Sequence, residues 1–552
     1  MKKIFVLALA TVMLVSAFYA FAGGQQEEAQ GQTKTQASEE EVKEVVIALP
    51  GDVTTWNPYM RNEVISNSIQ RHVFETLIGV ESDLSTSEGL AVEWTANEDA
   101  SVWTIKLREG VKFHDGTDFN AEDVVFSFDF CKADGRGWAD SMGNFESWRA
   151  VDEYTVEIKT IIPDVLLPSH LRNIAIISKD AHEGKDPENL ESEVVGTGKY
   201  KLVEYVKDGR VVLERNENYW GEKPEIEKVI FRPIPQAGTR TASLLAGEVD
   251  LISNVPVRDA DMLQSNNKVE VVTEAGISTM MFAMAQTEED PSPNAQMPIK
   301  SPDGSNPLAV RDVRKAIIHA VNANEIIDQI MGGYASLAPT PVPEGFVGYN
   351  PELDKYEYNP ELAEELLDAA GYPRQSNDGY RFEITLDAPN DRYINDAAIA
   401  TAVAGYLEKV GIKCNPNLMS RSVFWGYIRT HESYNSHFIM SAWSEPSAES
   451  ALIAKDLLYS TYLDGPKRDG WGGVNRGYYS NEEIDRLIEK ALATVDVDER
   501  DKIMQKVWEI AWDDAVLFTT HSEDAIYATS KRVKYSPRVD QHIFAWDLSM
   551  VE

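Results

Sequence analysis

Trp103–Phe128 reads WTIKLREGVKFHDGTDFNAEDVVFSF, and this stretch decides the fold. Trp103, Ile105 and Leu107 alternate as one face of a strand, while Glu109-Gly110 and Asp115-Gly116 supply turns around the short run Val111–Phe113. A helix is then predicted to start at Asn120. The Asn120 side chain can cap free backbone amides, Asp123 sits at the capping-box position, and Val124, Val125 and Phe128 begin an apolar stripe. The segment is scaffold: strand, turns and capped helix, with no chemistry of its own.

The same alternation extends outward. Val45–Leu49 reads as a short buried strand ending at Pro50-Gly51. A loop with Trp56-Asn57-Pro58 follows, then a helix predicted from about Glu63 to Leu77 with Ile65, Ile69, Val73 and Leu77 on one side. No internal repeat of fixed period occurs, and short strands alternate with amphipathic helices, so the fold class is mixed α/β.

Met1-Lys2-Lys3 is a cationic start, Ile4–Ala22 carries no charge, and Ala20 and Ala22 are small residues where a signal peptidase reads. Residues 1–22 are therefore expected to be a signal peptide, either cleaved after Ala22 or kept as an anchor. No cysteine follows for lipid attachment, so a soluble periplasmic protein is expected. Residues 23–43 have almost no apolar side chains to offset the entropy of ordering and read as a flexible leader. The roughly 510 residues that remain exceed what one core usually serves, which argues for two or more domains.

Net charge is −38, with 90 acids against 52 bases, which argues against nucleic acid or an anionic membrane as partner. Cys131 and Cys414 are two thiols or one disulfide, and nothing in their spacing supports a bridge. An enzymatic reading finds no phosphate loop, dinucleotide fingerprint, nucleophile elbow or H-E-x-x-H helix. His431-Glu432 with His437 lacks helical zinc spacing and His114-Asp115-Gly116 is explained by a turn, so neither metal nor cofactor is expected. Tryptophan is more telling. Trp56, Trp138, Trp443 and Trp471 stand beside Asn, Ser or Gly, where flat side chains next to hydrogen-bonding groups either line a cleft or pack inter-domain loops. Trp425, in SVFWGY, reads as part of a helix and serves either the core or the cleft.

Further motifs follow in order: Phe74-Glu75-Thr76-Leu77, Gly196-Thr197-Gly198-Lys199-Tyr200, Asn218-Tyr219-Trp220-Gly221 with Lys223-Pro224, and Leu245–Asp250. Asp312–Ile317, Tyr358-Asn359-Pro360 to Pro373, and Tyr479-Ser480-Asn481 to Ala491 complete the series. Together with Trp103–Phe128, this ordered set resembles the family 5 extracellular solute-binding proteins of ABC importers, the peptide-binding type, although Lys199 stands where the family usually has proline. The resemblance implies a periplasmic binding protein-like fold of two lobes joined by a hinge, with an additional subsidiary domain. The first lobe would comprise 44–73, 194–274 and 520–552, the subsidiary domain 74–193, and the second lobe 275–519. It also implies a monomer that delivers a small-molecule ligand to permease subunits.

In the family, the loop and helix after the first strand line the ligand cleft, which makes Trp56, Asn57, Ser66 and Asn67 candidate ligand residues. Phe438–Pro446, FIMSAWSEP, resembles the region where peptide binders hold an α-ammonium with an aspartate shortly after the tryptophan. Here no aspartate follows Trp443. Either Glu445 takes that role from a shifted position, or the ligand is a neutral oligosaccharide stacked on tryptophan. Trp138, Trp425 and Trp471 complete the candidate set. A small peptide is the expected ligand, oligosaccharide is the alternative, and an exported hydrolase with a catalytic carboxylate pair is the rival from another class.

Overall fold

Eleven strands form one mixed sheet in the computed structural model. The structure describes residues 42–60, 63–134, 137–185, 194–288, 299–353, 357–376, 379–428, 436–445, 447–462, 465–468 and 471–551. The expected signal peptide and nearly all of the leader, together with His431, Glu432 and Pro446, lie outside the described residues. In chain order the strands are β1 (Glu44–Leu49), β2 (Tyr200–Val206), β3 (Arg210–Arg215), β4 (Lys228–Pro233), β5 (Leu251–Ile252) and β6 (Val269–Met284). The rest are β7 (Ala335–Leu337), β8 (Phe382–Pro389), β9 (Ile412–Met419), β10 (Phe438–Trp443) and β11 (Leu517–Ser530). Their order across the sheet is β9-β8-β10-β6-β11-β5-β1-β4-β3-β2, with β7 pairing β11.

Two parallel nuclei are embedded in this sheet. β1 pairs in parallel with both β4 and β5, and β8 with both β9 and β10. The long strands β6 and β11 join them as an antiparallel ladder from Val269 opposite Ser530 to Ala283 opposite Leu517. That ladder is broken in the middle, with register shifts between Ala275 and Thr279 and between Met280 and Met281. Gly276 sits in the break because β11 approaches so closely: a Cβ there would meet the Glu523 carbonyl oxygen at 2.2 Å.

The Trp103–Phe128 segment folds as its sequence predicts. Val102–Leu107 buries Trp103, Ile105 and Leu107 in a four-stranded antiparallel sheet with Ala91–Ala96, Phe145–Asp152 and Thr155–Thr160. Gly110 and Gly116 take φ of 76° and 94°, the left-handed turn conformation that glycine adopts without strain. The helix Ala121–Asp134 opens on a reciprocal cap: Asn120 Oδ1 accepts the Glu122 N–H at 2.8 Å, and Asp123 Oδ2 accepts the Asn120 N–H at 3.0 Å.

The helix expected from Glu63 to Leu77 is much shorter, spanning only Val64–Gln70. Tertiary hydrogen bonds explain the difference: the carbonyls of His72 and Val73 accept the N–H groups of Tyr200 and Gly198, so after a turn at 71–73 the chain leaves the helix that the apolar spacing suggested. Ile69, Val73 and Leu77 are nonetheless all buried. Cys131 and Cys414 are buried in separate core clusters, and neither is in a disulfide.

Two cores follow the two parallel nuclei. One gathers β1, β3 and β4 with the four-stranded sheet; the other gathers β6, β8, β9 and β10 with the helix Asp396–Lys409. A third cluster, around Ala451–Tyr459 and Trp508, takes in Leu84 from the turn between Ile78–Val80 and Thr86–Glu88. Leu84 is 1% exposed and has φ of 71°, so a strained turn residue plugs a core built from the far end of the chain.

Candidate ligand-binding crevice

Where a strand has parallel partners on both sides, the loops leaving its carboxyl end diverge and open a crevice. β1 and β8 are both such strands. The strand directions turn the two crevices toward each other: β10 ends with Trp443 opposite Thr279, and β5 pairs Ile252 with Ala528, so β1 and β5 also run toward the broken middle of the β6–β11 ladder. Both carboxyl ends therefore converge on Ala275–Thr279 and Ser522–Asp524.

The β8 end carries aromatic and charged side chains. In the loop after β8, Asp396 Oδ2 accepts the N–H groups of Arg392 and Tyr393 at 2.9 and 3.0 Å, while Ile394 N–H reaches Glu523 Oε1 on β11 at 3.2 Å. The Arg392 guanidinium lies 4.9 Å from the Tyr393 ring centroid. After β9, the helix Arg421–Ile428 presents Trp425, whose ring has Phe424 edge-on at 5.4 Å and the Arg476 guanidinium at 5.6 Å. Trp443 at the end of β10 is half-buried, and its Nε1–H has no hydrogen-bond partner among the described residues. Glu445, two residues on, is half-buried and accepts the Ser447 N–H at 3.0 Å.

Burial raises the carboxyls in this region toward protonation. Glu523 is pushed up to about 7 by burial, against the Ile394 N–H and Arg392. Asp524 rises to about 6 through burial and the Glu274 charge, and Glu445 is raised by burial in spite of the Ser447 N–H. Arginines converge on the same region although the chain carries a net charge of −38. Besides Arg392 and Arg476, Arg172 donates to the carbonyls of Ser447, in the loop after β10, at 3.1 Å and of Leu84 at 3.0 Å.

The β1 end is sealed instead. Trp56 is fully buried with Tyr205 edge-on at 5.8 Å, and Asn57 Oδ1 accepts the Tyr59 N–H at 3.0 Å. Ser66 is fully buried with its hydroxyl 3.2 Å from Thr54 Oγ1, and Asn67 is buried on the same short helix. Trp138 is buried in a 3₁₀ turn in the core of the first nucleus. Trp471 is held between Tyr459, 4.8 Å away, and the Arg468 guanidinium at 4.0 Å.

Of the nine residues singled out in the sequence, the structure thus brings Trp425, Trp443 and Glu445 to the carboxyl ends of β8–β10. Trp56, Asn57, Ser66 and Asn67 follow β1, packed inward; Trp138 lies in the first core, and Trp471 packs, as Trp443 does, against the third cluster. Arg172, Arg392, Arg476 and Glu523 were not singled out. Arg392 alone had a local signal, a polar Asn390-Asp391-Arg392 run directly after an apolar strand.

Among the described residues no group of three or more His, Cys, Asp and Glu could hold a metal ion, and no helix is long and apolar enough to cross a membrane. A wide groove of about 580 Å³ on the β1–β4–β3–β2 side is lined by Val46, Val206, Ile230 and three charged residues, none of them part of the crevice.

Facing crevices on one α/β sheet define a binding protein of the periplasmic type. The chain belongs to the bacterial extracellular solute-binding proteins, family 5, whose "Middle" model matches residues 86–455. It is 27% identical over 500 residues, 89% of this chain and 91% of the relative, to the glutathione-binding protein GsiB of Escherichia coli O1:K1 / APEC. Among solved structures, HbpA2 from Haemophilus parasuis aligns with a TM-score of 0.79 at 24% identity, covering 92% of this chain and 100% of the other. DppA from Helicobacter pylori, solved with the peptide STSA, aligns at TM-score 0.69 and 24% identity over 92% and 98% of the chains. The fold is that of the periplasmic binding proteins, and the function is that of the solute-binding component of an ABC importer. Members of the family act outside the inner membrane and work with permease subunits.

Proposed function

We propose that the ligand is a small peptide, held between the β1 and β8 crevices and delivered by a monomeric, exported receptor. The observation that carries this reading is the charge mixture around Trp443. Arginines stand beside half-buried carboxyls whose ionised form an adjacent ammonium would favour, a set that complements a molecule with both an ammonium and carboxylates. A neutral oligosaccharide would supply no such counter-charges. The glutathione-binding name of the relative supports the same choice.

The lobes would be 44–73 with 194–274 and 520–552, and 275–519, with 74–193 as the subsidiary domain. What supports these boundaries is that the β6–β11 register breaks beside residues 275 and 519. Ligand contacts made from both sides would favour the closed state over the open one. Native mass spectrometry of gently purified protein tests the ligand. A retained mass that fragments as a peptide is expected, and one that fragments as hexose units would overturn the reading.

A further inference from the structure

The hairpin formed by Ile78–Val80 and Thr86–Glu88 is rooted in one half of the molecule and tipped into the other, the proposed second lobe. Its base is clamped. The Leu90 and Ala91 N–H groups donate to the carbonyls of Thr76 and Leu77 at 3.1 and 2.8 Å, and Leu77, Ile78 and Leu90 are buried in the first core. A Cβ on Gly89 would meet the Thr76 carbonyl oxygen at 2.6 Å, so the chain has no room to shift there. The tip belongs elsewhere: Leu84 is buried in the third cluster, and every other buried member of that cluster lies between Ile277 and Val516.

The residues between base and tip leave little slack. The Val539 N–H donates to the Ser82 carbonyl at 3.0 Å, and Arg538 Nη2 donates to the carbonyls of Val80 and Glu81 at 3.0 and 2.9 Å, which ties the hairpin to the segment after β11. The turn itself is pinned by the Leu84 N–H on the Glu81 carbonyl at 3.1 Å and by the Glu81 N–H on the Ser85 carbonyl at 2.9 Å. Beside the tip, Arg172 donates to the carbonyls of both Leu84 and Ser447, a second link across the same seam. Glycine would take the φ of 71° at position 84 without strain, whereas leucine takes it against the crowding of its Cβ with the backbone. The turn therefore bears a conformational cost to deliver this side chain.

We propose that this hairpin is a catch between the halves: Leu84 seats in the third cluster when the lobes are together and leaves it when they part. The proposal rests on the two-lobe reading above and goes beyond it, because it gives the lobes a contact that favours closure before any ligand arrives. A rotation between the halves cannot be absorbed in a turn pinned at both ends, so the movement falls on the seat, where the contacts are apolar and non-directional. Apolar burial there adds to whatever the ligand contributes to the closed form. The balance between open and closed is then set in part by a residue of the hairpin and not only by the groups that hold the ligand.

The test uses the full mature protein, once as purified with its own cargo and once stripped of cargo by unfolding and refolding. Leu84→Gly removes the plug and keeps the left-handed turn, while Leu84→Met conserves the apolar volume. Small-angle scattering of the stripped proteins is expected to give a larger radius of gyration for Leu84→Gly than for the parent, with Leu84→Met close to the parent. Hydrogen exchange should run roughly tenfold faster in the helix Ser450–Leu457 of stripped Leu84→Gly. In the unaltered protein, that helix and the Leu84 amide should gain protection together when cargo is present, a readout that needs no variant. Faster exchange in Leu84→Gly with an unchanged radius would mark Leu84 as a packing residue and overturn the catch; the two lobes would still stand if cargo shrinks the parent. Equal radii in every comparison, with and without cargo, would overturn both.

Discussion

The ends of β1 and β8 are built on the same plan and finished differently. Each is a strand between two parallel partners with a loop and a helix beyond it. Beyond β1, the polar side chains turn inward: Gln70 Nε2 donates to the Thr55 carbonyl at 2.6 Å, Asp52 accepts the Asp208 N–H at 2.7 Å, and Trp56 is fully buried. Beyond β8, Arg392 is exposed, Tyr393 and Trp443 are half-buried, and the acids are held toward protonation. One end is packed shut, and the other leaves aromatic and charged groups half-buried or exposed. If the β8 end holds the ligand as proposed, specificity can change there without disturbing the β1 core.

The sharpest way to break this contrast is to truncate one tryptophan at each end. Trp56→Ala is expected to cost about 3–5 kcal/mol of stability, the range for deleting a large buried aromatic. Trp443→Ala should cost well under half of that, because its side chain is only half-buried, while weakening ligand binding strongly. Denaturant unfolding and calorimetry on both variants provide the check. A Trp56→Ala protein of normal stability with lost binding would exchange the roles assigned to the two ends.

A second prediction concerns the seam between the ends. Gly276→Ala forces a Cβ against the Glu523 carbonyl in the β6–β11 break, so a backbone shift is required, at a cost of about 1–3 kcal/mol. Small-angle scattering should also show a changed balance between open and closed forms if the break is the hinge. Full stability together with an unchanged scattering profile would mean that the ladder bends elsewhere.

How much of this was legible in the sequence depends on how local the cause is. The Asn120–Asp123 cap and the Trp103–Leu107 alternation were readable because partners lie within a few residues, and the ordered motifs pointed to the family. The helix expected through Leu77 failed because Gly198 and Tyr200, more than a hundred positions away, take the carbonyls that would have continued it. Trp443 and Glu445 were singled out through a motif. Arg172 and Arg392 were not, since only the strand order brings their segments near one another, and no spacing in the chain records that.

The smallest effect expected is on pH, and it isolates the acid where β11 touches the loop after β8. Burial raises Glu523 from 4.5 to about 7, ahead of the opposing Ile394 N–H and Arg392. Because its folded value lies above its unfolded value, the folded state binds more protons between these limits, and the slope of stability against pH is negative there. The stabilisation is complete below about pH 4 and is lost as pH rises through about 7. A full shift of this size would be worth 1.36 kcal/mol per unit, but the side chain is partly exposed, so on the order of 1 kcal/mol is expected. Glu523→Gln removes the titration while keeping an acceptor for Ile394. Its stability should therefore gain on the parent as pH is raised from 5 to 8, with Asp524 still contributing a shallower slope in both. Urea unfolding across that range measures it. Parallel curves for variant and parent would show that Glu523 is ionised throughout, and the contact between β11 and the loop after β8 would then be more acidic than the present geometry implies.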